Sequence, residues 1–331
     1  MSQGLNRDKC LSIVGLTKNQ FYYKSNGLKP GKTPSTMTRW RDPSTLLMHE
    51  VDNEDVVDKI VNMKLNPDQI NWYRMISRAL QIQGYYINHK KVYRLMKKYL
   101  LLERARKKKG RDFVKFRRVT PSGPLRVLEM DIKYVWVHET GKYAYILTVI
   151  DTFTRYVLHW AVGYMMRNEQ VKEVWEYVIA HYFQPAGLLA DGVEIEVRND
   201  NGKQFSANNI IDFFKENQLH QVFTHPYTPE ENGHVESFHN TLGKALKADF
   251  FTSLPMLEKR LQTFYTFYNN ARSHSGSIGI PPAKFWALYQ KDKIEVIPLG
   301  KRKVKFKLKI AYQDILITPG IDEYQYRVIR A

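Results

Sequence analysis

The chain has 331 residues, of which 43% are hydrophobic and 13% aromatic, and its formal net charge is +18. This length exceeds what one compact core usually holds, so we expect two or three domains. The excess of lysine and arginine indicates a polyanionic partner, with nucleic acid first and an acidic membrane surface second.

The sequence contains no candidate membrane anchor. No apolar run approaches the roughly 20 residues that span a bilayer, and the first residues, MSQGLNRDKC, contain no apolar signal-peptide region. These features predict a soluble, cytoplasmic protein. Cys10 is the single cysteine, which excludes intrachain disulfides and cysteine-rich zinc fingers.

Residues 1–102 have the pattern of short helices. In LNRDKCLSIVGLTKNQFYYK two helical patterns are broken at Gly15, and Thr17 is a candidate N-cap, which predicts a helix-turn-helix domain over residues 1–50. Three further helical patterns predict a second helical DNA-binding domain over residues 51–102. Its last helix carries the candidate DNA contacts Lys90, Lys91, Arg94 and Lys97. A solvated helix surface is the alternative interpretation.

A basic segment follows at residues 103–124, with nine Lys/Arg against two acids, and ends in Pro-Ser-Gly-Pro. This composition predicts a domain linker that contacts the DNA backbone. The candidate phosphate contacts are Lys107, Lys108, Lys109, Arg117 and Arg118. A solvated spacer without specific contacts is the alternative.

From residue 125 the pattern changes to strands. Three strand patterns (RVLEMDIKYVWV, YAYILTVID and RYVLHWAVGY) precede an alternation of helices and strands. This order predicts an α/β domain with a mixed sheet, which with its trailing helices covers residues 125–290. Alternation in KVKFKLKI then predicts a strand of a small β module over residues 291–331. Its lysines either bind phosphate or form a solvated sheet face.

The stretch HPYTPEENGHVESFHNTLGKAL contains three glutamates with different predicted roles. Residues 228–231 (Thr-Pro-Glu-Glu) have the form of a capping box, which gives Glu230 and Glu231 a role in starting a helix. Glu236 lies further along the predicted helix, where neither the capping box nor the first-turn preference for acids accounts for it.

Two aspartates are the expected partners of Glu236. Asp131 lies in the middle of a predicted strand, where a carboxylate is unfavourable, and Asp200 ends another strand, where sites of α/β sheets tend to form. Three converging carboxylates would repel one another without cations, so the arrangement suits Mg²⁺ or Mn²⁺, both of which prefer oxygen ligands. Two such ions support phosphoryl transfer.

Asp131, Asp200 and Glu236, with 35 residues between the last two, resemble the Asp-Asp-(35)-Glu triad of retroviral-type integrases and transposases. The surrounding blocks MDIKYV, RNDNGKQF and PYTPEENGHVESFHNTL agree with this resemblance, as does the later YNNARSHSGSIGIPPAKF. With the basic helices upstream, the chain is most similar to the second-frame transposases of the insertion-sequence-three (IS-three) family.

The resemblance implies an RNase H-like integrase catalytic core that holds two Mg²⁺ ions at the triad. It also implies cleavage of double-stranded DNA at insertion-sequence ends, strand transfer by the freed 3′-OH, and at least a homodimer, because both terminal inverted repeats must be brought together. The implied location is the bacterial cytoplasm. An inert, transposase-derived DNA-binding regulator and a nuclease that cuts without joining are the alternatives.

The sequence departs from the family pattern in one place on the predicted helix of Glu236. The family usually has Lys or Arg seven residues after its glutamate, where this chain has Gly243. We therefore predict DNA contacts from Lys244 and Asn240, which share a helix face with Glu236.

Other polar residues near the triad have structural interpretations. Glu129 shares the strand face of Asp131 and could substitute as a ligand, but a position at an edge or surface is expected. Asp151 is expected in a turn. His234 and His239 are five residues apart, on different helix faces, so a zinc site is not expected.

Overall fold

The computed structural model describes residues 6–22, 34–69, 72–103, 121–224, 232–299 and 304–321. The chain divides into two compact units, Met1–Thr36 and Met37–Ala331. The first unit contains the helices α1 (Arg7–Ile13) and α2 (Lys18–Phe21). Thr17 caps α2 as predicted, because its hydroxyl accepts the Gln20 N–H at 3.2 Å and the Gln20 side chain accepts the Thr17 N–H at 2.8 Å.

The second unit begins with an antiparallel hairpin, β1 (Met37–Arg41) and β2 (Met48–Asp52). This corrects the prediction that residues 1–50 form a helix-turn-helix domain. Asp42 nucleates the turn, because its carboxylate accepts the Ser44 N–H at 2.8 Å. The hairpin packs on the following helices, where the Trp40 indole donates to the Gln83 carbonyl at 2.9 Å.

Three helices follow where the sequence predicted them: α3 (Asn53–Leu65), α4 (Tyr73–Ile82) and α5 (His89–Lys98). Their apolar stripes form one core with members Val56, Ile60, Ile76, Leu80, Val92 and Met96. Asn88 begins α5 by accepting the Lys91 N–H at 2.9 Å. We call residues 37–103 the helical segment.

A five-stranded mixed sheet forms the centre of the second unit. Its strands are β3 (Val127–Val137), β4 (Lys142–Asp151), β5 (Val157–Gly163), β6 (Ile195–Asn199) and β7 (Leu219–Phe223). The spatial order is β5-β4-β3-β6-β7, with β3, β4 and β5 antiparallel and β6 and β7 parallel to β3. This order defines an RNase H-like sheet and confirms the predicted fold class of the core.

Alternation along β3 assigns its two faces. Leu128, Met130 and Ile132 lie in one apolar core, which is completed by α6 (Asn168–Val178) and α7 (Asn208–Glu216). The odd-numbered face is covered by α8 (Gly233–Ala245) and α9 (Leu254–Asn270), whose apolar residues pack on Val137, Ala144 and Ile146. The core therefore has three layers, with the sheet between two pairs of helices.

The last elements are α10 (Pro282–Gln290), β8 (Ile294–Pro298) and β9 (Val304–Leu308). The predicted strand in KVKFKLKI is confirmed as β9, which pairs with β8 in a two-stranded hairpin. This hairpin shares a hydrophobic cluster with α10 and with Phe153, which lies between β4 and β5. On its polar face Lys307 pairs with Glu295 at 3.2 Å.

The helical segment is joined to α9 by a buried ion pair. Both terminal nitrogens of Arg260 donate to the Asp68 carboxylate, at 2.6 and 3.1 Å, and Asp68 is only 6% exposed. Arg272 donates to the Asp68 carbonyl from the other side. Across the described parts of the chain, no helix combines the length and apolar character needed to cross a bilayer.

Candidate active site at the edge of the central strand

Two of the three predicted site residues lie on neighbouring strands. Residues 127–129 of β3 pair in parallel with residues 196–198 of β6, a constant offset of 69. The same offset aligns Asp131 with Asp200, which directly follows the last residue of β6. The sheet therefore brings together two aspartates that are far apart in the sequence.

The loop after β6 fixes Asp200. Its carboxylate accepts the Gly202 N–H at 3.0 Å, and Asn201 donates to the Thr224 carbonyl at 2.9 Å, which ties the loop to the end of β7. The pKa of Asp200 is raised, first by burial and further by the negative charge of Asp131. Mutual repulsion of two carboxylates at one edge of the sheet favours a bound cation there.

The third predicted residue, Glu236, lies on α8 and is half-buried. The predicted capping box at residues 228–231 lies outside the described residues, and the described helix begins at Gly233 with Asn232 as its N-cap. Glu236 consequently belongs to the first turn of α8, where the helix dipole favours an acid. This differs from our expectation that Glu236 lies beyond the influence of the helix start.

His239, one turn after Glu236, connects α8 directly to Asp131. Its Nδ1 lies 3.1 Å from Asp131 Oδ2 and donates to it, because a carboxylate can only accept. Its Nε2 lies 3.4 Å from the Thr148 hydroxyl, which contacts the Tyr265 hydroxyl at 2.6 Å. The Asp131 side chain keeps 23% of its surface exposed. Asp131 is therefore oriented by the protein and still accessible.

Glu129 is fully buried, which corrects our expectation of an edge or surface glutamate. Its Oε2 accepts the backbone N–H groups of His234 and Val235, both at 2.8 Å, and its Oε1 lies 3.0 Å from His234 Nδ1. Burial raises the pKa of Glu129 to about 7. Glu129 thus attaches the first turn of α8 to β3, two residues before Asp131.

Glu129 belongs to a set of enclosed polar side chains that we call the buried polar cluster. Its members are Glu129, Asp151, Arg155, Arg272 and His274. Asp151 accepts the Leu125 N–H at 3.1 Å and the Thr154 N–H at 2.8 Å, which confirms its predicted place at a turn. Arg155 donates to the Thr152 carbonyl, and its positive charge acts on both Glu129 and His274. These contacts compensate most of the cluster, although Glu129 Oε1 and Arg272 Nε have no hydrogen-bond partner in the described part of the chain.

The signature YNNARSHSG supplies part of this cluster and the support of β5. The Asn269 amide accepts the Val157 N–H and donates to the Val157 carbonyl, each at 2.9 Å. His274 accepts the Gly276 N–H at 3.0 Å, and burial, with Arg155 and Arg272 nearby, lowers its pKa to about 3. The described contacts of this signature are therefore structural.

The donor set of the candidate site suits a hard divalent cation, because it consists of carboxylate oxygens. The Asp131–Asp200 pair fits such an ion, since a cation would offset both the burial and the Asp131 charge that raise the pKa of Asp200. Among the described residues, however, no three His, Cys, Asp or Glu side chains are gathered closely enough to hold a metal ion. A zinc cluster of histidines is likewise absent from that part of the chain, because His234 and His239 contact different carboxylates.

The predicted basic contacts have different surroundings. On α5, Lys90, Arg94 and Lys97 are exposed, but the Lys91 ammonium donates to the Met37 carbonyl at 2.7 Å and ties α5 to the hairpin. On α8, Asn240 and Lys244 are exposed. The linker candidates Lys107, Lys108, Lys109, Arg117 and Arg118 lie outside the described residues. DNA contacts from all these positions stay predictions.

Sequence reasoning missed the roles of Glu129 and His239. Glu129 shares the strand face of Asp131 by simple alternation, which was a usable signal. His239 lies three residues after Glu236 and therefore near the same helix face. Neither signal reveals the partner, because the bonded groups are more than 100 residues away in the chain.

Comparison with known proteins agrees with the fold. Residues 121–229 and 217–282 match two models described as integrase core domain. An uncharacterized 39.2 kDa protein of insertion element IS476 from Xanthomonas euvesicatoria is 29% identical over 66% of this chain and 61% of that protein. The transposase for insertion sequence element IS904 from Lactococcus lactis is 24% identical over 47% of this chain and 58% of that protein.

The chain thus covers about three fifths of the length of each of these two relatives. The crystal structure of the catalytic core domain of BIV integrase overlaps 51% of this chain and 98% of that chain, with 22% identity and a TM-score of 0.38. The fold is assigned from the strand order of the sheet and from the match to the integrase core models.

Residues 121–282 are thus similar to the integrase core domain and carry an RNase H-like sheet. The relatives named above are proteins of insertion elements.

Proposed function

We propose that this chain is a DNA transposase that cuts DNA at insertion-sequence ends and joins the freed 3′-OH to a target phosphodiester. The observation that carries the proposal is the proximity of Asp131 on β3 to Asp200, directly after the neighbouring strand β6, since the charge of Asp131 acts on Asp200 and both keep exposed surface. The relatives support it, since one is named a transposase for an insertion sequence element. All three carboxylates are intact, which argues against an inert regulator.

Asp131, Asp200 and Glu236 would hold two Mg²⁺ ions, for which Mn²⁺ could substitute. When bound, these ions would activate the attacking oxygen and stabilise the leaving oxygen of the phosphodiester. The protein's own contribution is positional: His239 orients Asp131, Gly202 orients Asp200, and Glu129 fixes the start of the helix that carries Glu236.

The net charge of +18 supports DNA as the partner. Terminal inverted repeats would be bound by the helical segment, with Lys90, Arg94 and Lys97 as exposed candidates on α5. Asn240 and Lys244 would contact DNA beside Glu236, and the five basic linker residues named above would contact its backbone. Joining two ends requires that they be held together, so we infer at least a homodimer in the active complex.

The test uses the full chain, MgCl₂ and a labelled duplex that contains the DNA just outside both ends of its own gene. We expect metal-dependent cleavage and joined products, both abolished by EDTA. Glu236→Gln should abolish cleavage and leave duplex binding nearly intact. Its matched control is Glu231→Gln, because the sequence assigns Glu231 to the capping box, and that change should weaken the helix start by about 0.5–2 kcal/mol.

Three outcomes would revise the proposal. Binding without any cleavage would identify a regulator, and cleavage without joined products would identify a nuclease. An equal loss of cleavage in a stably folded Glu231→Gln protein would contradict the assignment of Glu236.

A further inference from the structure

Lys133 of β3 and Gly243 of α8 meet on the face of the sheet that carries Asp131. A Cβ atom built on Gly243 would lie 3.2 Å from Lys133 Nζ and 3.4 Å from Lys133 Cε. Lys133 follows Asp131 by two residues, so the two side chains share a strand face. Gly243 follows Glu236 by seven residues, which places it about 20° around the helix from Glu236.

Glycine at position 243 has no conformational explanation. It lies inside α8 with ordinary right-handed backbone, where glycine weakens a helix relative to alanine. A Cβ there would meet the flexible end of Lys133, which would have to shift by a few tenths of an ångström, and a larger side chain would fill the space that the ammonium now occupies. The missing side chain therefore makes room for an ammonium group between β3 and α8.

This ammonium has no anionic partner in the described part of the chain. No described carboxylate lies within ion-pair distance of Lys133. Lys133 and Gly243 line an open groove of about 300 Å³ that also contains Asp249, but Arg260 holds the Asp249 carboxylate at 2.9 Å. A half-buried cation at the mouth of a groove is suited to an external anion.

We propose that Lys133, in the space left by Gly243, is a binding site for a backbone phosphate of the DNA strand that enters the active site. The inference rests on the proposed function, because it requires DNA beside Asp131 and Glu236. Lysine suits such a site as a compact point charge for a phosphate oxygen. A cation that the resemblance places on the helix is thus supplied here from the neighbouring strand.

Binding is measured first, in a Glu236→Gln background that prevents cutting, with the same end duplex over a series of NaCl concentrations. Lys133→Met keeps the apolar part of the side chain and removes the charge. We expect the slope of log K against log salt to become shallower by about 0.9, which corresponds to one lost phosphate contact. Lys259→Met, at an exposed position of α9, is the matched control and should leave the slope unchanged.

Cleavage is measured next, with Glu236 intact. Lys133→Met should slow cleavage about ten- to a hundredfold, as expected when one charge-assisted contact is lost. The double variant Lys133→Met/Gly243→Lys returns an ammonium to the same space from the helix and should recover most of the rate. Gly243→Leu fills the space beside Lys133 and should slow cleavage without removing any charge. This variant provides the test if Lys133→Met fails to fold.

A folded Lys133→Met protein with wild-type salt slope and wild-type cleavage would overturn the phosphate site. An unchanged rate in a folded Gly243→Leu protein would do the same. Failure of the proposed function gives a different result from failure of the phosphate site, because the wild-type chain itself would then neither cut nor join the duplex with Mg²⁺.

Discussion

The candidate active site and the buried polar cluster adjoin on β3 but differ in how their charges are compensated. In the cluster, Glu129 is fully buried and accepts two backbone N–H groups, and Arg155 lies near enough to act on its charge. Two residues further on, Asp131 is partly exposed and faces a second carboxylate, Asp200. The buried polar cluster is held mainly by contacts within the protein and stabilises the fold. The partly exposed Asp131–Asp200 pair consists of like charges, which a bound cation would compensate.

This difference predicts that substitutions of Asp131 and Glu129, only two residues apart, will affect different measurements: cleavage for Asp131 and stability for Glu129. Asp131→Asn removes a carboxylate that serves the reaction, so we expect cleavage to fall by about 10⁴-fold or more, the scale of loss for members of a catalytic unit. Unfolding by urea should change little, because Asn can still accept from His239. Cleavage rates with saturating Mg²⁺ and urea unfolding curves are the two measurements.

The control for this variant is Asp212→Asn, at an exposed position of α7 away from the sheet edge. It should leave both measurements unchanged. Wild-type cleavage by Asp131→Asn would remove Asp131 from the site.

Glu129→Ala should show the opposite profile. The change leaves the buried N–H groups of His234 and Val235 without an acceptor, at about 1–3 kcal/mol each. We expect the free energy of unfolding in urea to fall by about 3 kcal/mol or more, and cleavage to fall in consequence because the start of α8 is released.

Glu129→Gln retains an acceptor oxygen of the same shape and should lose much less stability and activity than Glu129→Ala. If Glu129→Gln abolished cleavage in a stable protein, Glu129 would belong to the reaction and the contrast with Asp131 would disappear.

A smaller effect, the dependence of folding stability on pH, also distinguishes the two regions. His274 of the buried polar cluster has a pKa of about 3 in the fold, below the value of roughly 6.5 for an unperturbed histidine. The unfolded chain therefore takes up a proton below about pH 6.5 that the folded chain refuses. The stability associated with neutral His274 is fully present above that pH and is lost as the pH falls towards 3.

His274→Asn should remove this dependence, because Asn can accept the Gly276 N–H and does not titrate. Between about pH 6 and 4, we expect the stability difference between wild type and variant to change by up to about 1.4 kcal/mol per pH unit. His220→Asn, at an exposed position of β7, is the control for urea unfolding over the same range. A parallel pH response of wild type and His274→Asn would show that His274 takes up its proton within the fold.

The sequence predicted the periodic parts of this molecule well. Alternation located β3, and helical periodicity located α3, α4, α5 and α9, because each pattern spans several turns or residue pairs. The hairpin at residues 37–52 was missed because its strands are short, although Asp42-Pro43-Ser44 was an available turn signal.

Side-chain partnerships were less accessible than the elements that carry them. The triad could be proposed from motif spacing, but the burial of Glu129 depends on where the start of α8 meets the sheet. Likewise, Gly243 was visible as a departure from a pattern, and only the packing of α8 on β3 shows that Lys133 fills the space beside it.

The Asp68–Arg260 contact has a consequence for anyone who dissects this protein into fragments. Cutting the chain near residue 121 would remove Asp68, so that Arg260 would lose a bidentate partner and Arg272 a carbonyl acceptor. An expressed fragment that begins at residue 121 would leave Arg272 without this acceptor and Arg260 with Asp249 as its remaining carboxylate partner. The smallest fragment that preserves these contacts begins at the hairpin, near residue 37.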